Sequence, residues 1–245
     1  MLRRNAAGKG LKTEPRQIAK QSPAASGQDI ANRIGGTHVA KKTQPRRLIV
    51  GMSGSSGVIY GIRMLEFLRE IPDIETHLIM SGSAKLNVRL ETDWPLQDVE
   101  ALAHQVHDVR DIAATVSSGS FKTLGMVIAP CSIKTLSGIA NSYSDNLLTR
   151  AADVILKEGR KLVLMVRETP LHLGHCKLLL EAATLGAVLA PPMPAFYNRP
   201  ATLDDIINHS VGRVLDLFDI DTKVVKRWAG PRTAARPAKS RVSQD

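Results

Sequence analysis

The sequence has no apolar run near the roughly 18 residues that a membrane span needs. It has two cysteines, Cys131 and Cys176, too few for a disulfide framework, so a reducing compartment is expected. Its first 47 residues lack aromatic side chains and an apolar h-region, which excludes a secretory signal and leaves no material for a core. The H-E-x-x-H metal spacing is absent. So is the lysine that a P-loop carries after its last glycine. Asp204-Asp205 lacks the third acid of a magnesium-binding Asp-Asp-x-x-Asp cluster and reads as two acids in a helix's first turn, favoured by the dipole.

What is present is ordinary globular composition, 43% hydrophobic and 23% charged over 245 residues, with a net charge of +10. Residues 1–47 carry +9, residues 226–245 carry +5, and 48–225 carry −4. The basic excess lies in the tails, which argues against nucleic-acid binding by the folded body. Three regions follow: a disordered basic tail (1–45), a folded domain (46–225) and a basic C-terminal tail (226–245). The N-terminal tail also fits a mitochondrial transit peptide. Its likeness to the C-terminal tail favours a GC-rich bacterial genome or a late start.

From Arg46 short apolar runs alternate with helical stretches. Strands are predicted at Leu48–Val50, Thr76–Met80, Gly125–Ala129 (stopped by Pro130), Leu162–Val166 and Ala187–Leu189. Helices are predicted over 56–70, from Ser81, over 96–107, 145–159, 172–185 and 202–218. This alternation implies an α/β fold, a parallel sheet with helices on both faces, whose ligands sit at the carboxyl ends of the strands.

The polar residues after each strand are therefore the candidates. Gly51-Met52-Ser53-Gly54-Ser55-Ser56-Gly57 joins a strand to a helix and fits an anion site and a ligand-free capped turn equally. Ser132 and Thr135, in Pro130-Cys131-Ser132-Ile133-Lys134-Thr135, can cap a second helix start. Cys131 reads as a small buried hydrophobe rather than a nucleophile. Arg150 and Lys157 share a helix face, and Arg167 ends an apolar strand where a charge needs a partner. His172-x-x-His175-Cys176 reads as satisfied polar residues at a helix start rather than as a metal site.

Together these segments resemble the UbiX flavin prenyltransferase family. The stretches that carry the resemblance are RRLIVGMSGSSGVIYGIRML, ETHLIMSGSAKL, LETDW, SSGSF, GMVIAPCSIKTLSGIA, DNLLTRAADVILKEGRKLVLMVRETPLHLGH and GAVLAPPMPAFYNRPATLDDIINHSVGRVLD. They span about 48–220 in family order, and the PCSIKTLSGIA and RAADVILKEGRKLVLMVRETPL blocks are highly specific, far more so than the glycine loop. The resemblance implies a three-layer flavodoxin-like (Rossmann-like) fold. It implies reduced FMN and dimethylallyl phosphate as substrates, prenylated FMN as product, no metal, and a UbiD-type decarboxylase as recipient. Flavin contacts are implied for Gly54, Ser55, Ser56, Ser81, Ser132, Ile133, Lys134, Thr135 and Arg167. Prenyl-phosphate contacts are implied for Arg150, Lys157, Tyr197 and Arg213, and proton handling for Glu91 and Glu168 with Ser56 as relay. A homo-oligomer, a dodecamer with sites at subunit contacts, a cytoplasmic place and a role in ubiquinone synthesis or aromatic acid decarboxylation also follow from it.

Ser55 replaces the family's usual alanine, Gly159 stands where arginine is common, and Gly82-Ser83-Ala84 replaces Lys-Ala-Ala; all three leave the site residues in place. Two rival readings share the fold. A flavin-dependent cysteine decarboxylase lacks here its usual histidine after the first helix. An FMN-binding subunit without chemistry would not need the set Glu91, Glu168, Lys157, Tyr197 and Arg213.

Overall fold

The apolar runs become the strands of one parallel sheet in the computed structural model, which describes residues 46–225 with 227 and 230. Apart from Arg227 and Gly230, the two predicted basic tails lie outside the described residues. In chain order the elements are β1 (Arg46–Met52), α1 (Ile59–Arg69), β2 (Ile74–Met80), α2 (Gly82–Glu91), α3 (Leu96–Ala101), β3 (Gln105–His107) and β4 (Gly125–Cys131). They continue with α4 (Ile133–Ala140), α5 (Leu147–Lys157), β5 (Lys161–Val166), α6 (Leu173–Thr184), β6 (Val188–Leu189) and α7 (Leu203–Asp216). Single 3-10 turns stand at Thr115–Ser117 and Phe196–Asn198.

The strand order is β3-β2-β1-β4-β5-β6. It reverses between β1 and β4, which makes their carboxyl ends the switch point of a flavodoxin-like sheet. Alternate strand residues feed two cores. Leu48, Val50 and Met52 pack with α1, α2, α3 and α7, whereas Ile49, Ile79, Met126 and Ile128 pack with α4, α5 and α6. Burial on both faces explains why the strands read as unbroken apolar runs. Gly61 lets α1 lie close on the sheet, because a Cβ there would fall inside contact distance of the Ala129 carbonyl.

Two predicted boundaries are corrected. β4 does not stop at Pro130 but runs through it to Cys131, with a register shift between Ile128 and Cys131. The ladder slips where proline has no N–H to give, and the Pro130 carbonyl instead accepts from Ser53 N at 3.1 Å. The helix predicted over 96–107 ends at Ala101, and Gln105–His107 forms a sixth strand paired with His77–Ile79. That strand is an edge of three residues, two of them exposed, so it carries no apolar run to announce it.

Candidate functional site

The site is built where strand ends are tied together. Ser53 is 1% exposed and staples the switch point: its Oγ donates to Pro130 O at 3.0 Å and accepts from Ser132 N at 2.7 Å. Ser81 N donates to Met52 O, and Arg167 N to Cys131 O. The tips of β1, β2, β4 and β5 are thereby held as one unit. Gly54 fits tightly against Ser83 of α2, where a Cβ would collide with the serine side chain.

Around this unit the predicted flavin residues converge. Ser81 Oγ accepts from Ala84 N at 3.0 Å and caps α2. Ser132 Oγ accepts from Thr135 N at 3.4 Å and caps α4, with Thr135 buried beside it. Ile133 is half-buried and Lys134 exposed. Ser56 is exposed on the loop. Ser55 Oγ is buried and has no hydrogen-bond partner among the described residues, although the Ser55 carbonyl accepts from Asn87 Nδ2 at 3.1 Å. A buried hydroxyl without a partner carries a cost of roughly 1–3 kcal/mol that a bound ligand would remove.

The charges suit an anion. No carboxylate among the described residues lies within ion-pair distance of Lys134 or Arg167. Tyr60, in the first turn of α1, is half-buried; burial raises its pKa and the charge of Arg167 pulls the other way. The Glu91 carboxylate accepts from Gly57 N at 2.7 Å and Val58 N at 3.3 Å, and so closes the loop from its outer side. Glu168 is exposed, with its Oε1 accepting from Thr169 N at 3.0 Å.

The predicted prenyl-phosphate residues are spread more widely. Arg150 pairs with Asp153 at 2.8 Å in the first half of α5. Lys157 ends α5 and pairs with Glu158, about 10 Å further along the axis, at the amino end of the sheet. Within one chain it is therefore not brought to Ser132 or Arg167. Arg213 pairs with Asp216 at 2.7 Å. It lines an open, mainly apolar cavity of about 250 Å3 together with Met165, Ala190, Pro191 and Met193. Tyr197 stands on the Phe196–Asn198 turn against His209 of α7.

Other candidates resolve simply. Cys131 is fully buried, and burial pushes its thiol up to about 12, far from a thiolate at neutral pH. His172 is satisfied as the α6 cap, its Nδ1 accepting from Gly174 N at 3.0 Å; His175 is not, its buried Nδ1 having no partner among the described residues. Asp204 accepts from Arg63, and Asp205 completes a capping box with Thr202. No group of three or more His, Cys, Asp or Glu is placed to hold a metal among the described residues.

Ser53 as staple, Asn87, Tyr60 and His209 were not singled out from the sequence. His209 alone left a signal, standing four residues before Arg213 on one helix face.

The flavoprotein family profile matches residues 37–208. The chain is 64% identical over 187 residues to the flavin prenyltransferase UbiX of Escherichia coli strain K12, covering 76% of this chain and 99% of that one. It superposes with a TM-score of 0.74 on the dodecameric FMN-dependent UbiX-like decarboxylase from Escherichia coli O157:H7, at 53% identity, covering 75% of this chain and 100% of that one. The same score is reached with AnUbiX in complex with FMN and dimethylallyl pyrophosphate, at 49% identity, covering 76% of this chain and 98% of the other.

Proposed function

The chain belongs to the UbiX flavin prenyltransferases of the flavoprotein family, and from that premise we propose that it transfers a dimethylallyl group from dimethylallyl phosphate to reduced FMN, making prenylated FMN. The observation that carries this reading is the gathering of Gly54, Ser55, Ser81, Ser132, Lys134 and Arg167 around one switch point, with a buried hydroxyl and two cations that have no partner among the described residues.

FMN fits these residues: Ser55, Ser56, Ser81, Ser132, Thr135 and the backbone at Gly54 offer hydrogen bonds, and Lys134 and Arg167 offer charge. When bound and reduced, it supplies the nucleophilic N5 and then the C6 at which a further ring closes. The chain's own part is to orient and to carry charge. Arg213 and Tyr197 hold the prenyl phosphate beside the apolar cavity, which suits the five-carbon group. As the allylic C–O bond breaks, the electron pair leaves with the phosphate, and cationic side chains stabilise that charge. Holding the allyl carbon against its acceptor supplies proximity. Ring closure consumes the prenyl double bond, one carbon of which gains a proton while C6 loses one, and Glu168 takes the proton lost onto its carboxylate. Glu91 keeps the loop in shape, and we assign it, with Ser56, the passing of a proton at the loop's edge.

Lys157 cannot serve the site of its own chain from the carboxyl end of α5, at the amino end of the sheet; we assign it, with Arg150, to the site of a neighbouring copy. Exposed apolar side chains support such an assembly: Leu86 and Leu90 on α2, Leu173 and Leu180 on α6, and Met193 and Phe196. The dodecamer of the relative from Escherichia coli O157:H7 is the form we propose. The product goes to a UbiD-type decarboxylase in ubiquinone synthesis or aromatic acid decarboxylation. Among the described residues no helix is long and apolar enough to cross a membrane. Both cysteines are free, and with bacterial relatives this favours the cytoplasm.

The test is direct. Incubating the protein anaerobically with reduced FMN and dimethylallyl phosphate should raise the flavin mass by one C5 unit and release phosphate. An unchanged flavin would overturn the reading, and carbon dioxide released from a cysteinyl substrate would put the decarboxylase in its place.

A further inference from the structure

Residues 118–124 belong to no helix or strand. Phe121 anchors them inward, meeting His77 edge-on with centroids 4.9 Å apart, while Ser118 and Ser120 stay exposed. A second anchor comes from Arg160, in the step from α5 to β5. Its side chain is 14% exposed and its guanidinium forks over the loop: one amino group donates to Phe121 O at 2.7 Å and the other to Gly119 O at 2.6 Å. The second of these groups also lies 3.9 Å from Glu158 Oε2.

The backbone of Arg160 is in turn fixed to α5. Its N–H donates to Ile155 O and that of Gly159 to Leu156 O, both at 2.9 Å, with Gly159 left-handed at φ 63°. This is a closed helix end, at which glycine is favoured. The loop and the last turn of α5 are therefore one unit.

Lys157 stands inside that unit. Its Nζ donates to Glu158 Oε1, and the Gly119 backbone lies over the pair: a Cβ there would fall 3.0 Å from Lys157 Nζ and overlap Glu158 Oε1. A lysine stem is flexible and does not by itself hold its ammonium in one place. Here Glu158 restrains it from one side and Gly119 from another. The bond from Lys157 holds the Glu158 carboxyl below its ordinary range, with Arg160 and Lys122 adding to the effect and burial opposing it. Lys157 and Arg160 share this one carboxylate, so the three side chains together keep a positive charge to offer.

We propose that Arg160 is a positioning residue: by tying Gly119 and Phe121 to the end of α5 it fixes the Lys157 ammonium, and so presents it to the prenyl phosphate in the site of a neighbouring copy. The proposal rests on the assignment of Lys157 to that site.

Two variants test it without removing a charge. Arg160→Lys keeps the cation and gives up the planar fork that meets two carbonyls. Gly119→Ala leaves Arg160 in place, and its added methyl meets the movable ends of Glu158 and Lys157, so the fold stands and the pair shifts. With reduced FMN saturating, Arg160→Lys should lower kcat/KM for dimethylallyl phosphate about tenfold, as expected for a displaced contact to a charge. Gly119→Ala should lower it about threefold at a melting temperature within about 2 °C of wild type. In a Lys157→Gln background neither substitution should lower it further, because each acts through that ammonium, whereas a merely structural loss would persist. Wild-type kcat/KM in both variants, or losses that multiply with that of Lys157→Gln, would overturn the proposal. Titration of the FMN-loaded protein with inorganic phosphate, read by flavin fluorescence, needs no turnover. If the wild type makes no C5-shifted flavin yet Gly119→Ala still weakens phosphate binding, the transferase reading fails and the positioning role stands; equal phosphate affinity in the wild type and both variants removes the role itself.

Discussion

Arg167 and Glu168, neighbours in sequence at the end of β5, are proposed for opposite tasks. The guanidinium has no ion pair among the described residues and is suited to a ligand's negative charge, whereas the carboxylate is exposed and accepts from the next residue's N–H, that of Thr169. Glu168→Gln keeps size and polarity and removes the proton acceptor. It is expected to bind FMN as the wild type does, measured by flavin fluorescence, and to lose about 10²-fold or more in prenylation rate. Turnover at wild-type rate would reassign the proton transfer. The sequence marked these two by their place after an apolar strand. It could not mark Ser53, whose hydroxyl joins residues 77 and 79 positions away, because serines in a Gly/Ser loop look alike until a second loop is folded against them.

At the scale of elements, close approach decides what substitutions α1 tolerates. Gly61→Ala should gain about 1 kcal/mol in helix propensity. The added Cβ meets the backbone carbonyl of Ala129, which cannot rotate aside, so overpacking of about 1–3 kcal/mol should win. The expected outcome is a melting temperature lower by several degrees at about 2–4 °C per kcal/mol, read by differential scanning calorimetry with FMN absent. A higher melting temperature would show that α1 can lift from β4. Apolar periodicity made α1, β1, β2 and β5 legible because one physical cause, burial against the sheet, sets both pattern and element. It failed at β3, where an exposed edge strand needs no apolar residues, and at Pro130, where the neighbouring strand rather than local propensity carries the chain on.

For the whole molecule, pH acts at the sheet's β2–β3 edge, where two buried histidines meet. His77 Nδ1 lies 3.0 Å from His107 Nε2, and His77 Nε2 lies 3.0 Å from Glu75 Oε1. Phe121 packs edge-on against His77, and Arg47 covers Phe121 and pairs with Glu75. Burial lowers the pKa of His77, with Glu75 opposing and His107 assisting; burial lowers that of His107, with Asp111 opposing. The unfolded chain therefore binds protons first as pH drops below the ordinary value of 6.5. Stability that is full above that pH is lost on acidification through the lower folded-state values. The melting temperature should fall from about pH 7.5 to about pH 5, and His107→Gln, which cannot titrate, should flatten that fall. An identical slope in the variant would place its source elsewhere.

By itself the sequence determined the layered α/β architecture, the strand tips as the place to look for a site, the mildly acidic body between basic ends, and membership of a family, because apolar period and local motifs are properties of contiguous chain. Only the tertiary structure decided that Ser53 and Pro130 are joined, that Glu91 closes the glycine loop, that Tyr197 leans on His209, and that Lys157 ends up at the amino end of its own sheet. Each of these is a meeting of residues distant in sequence or a matter of which end of a helix faces which end of the sheet, and spacing along a chain carries no record of either.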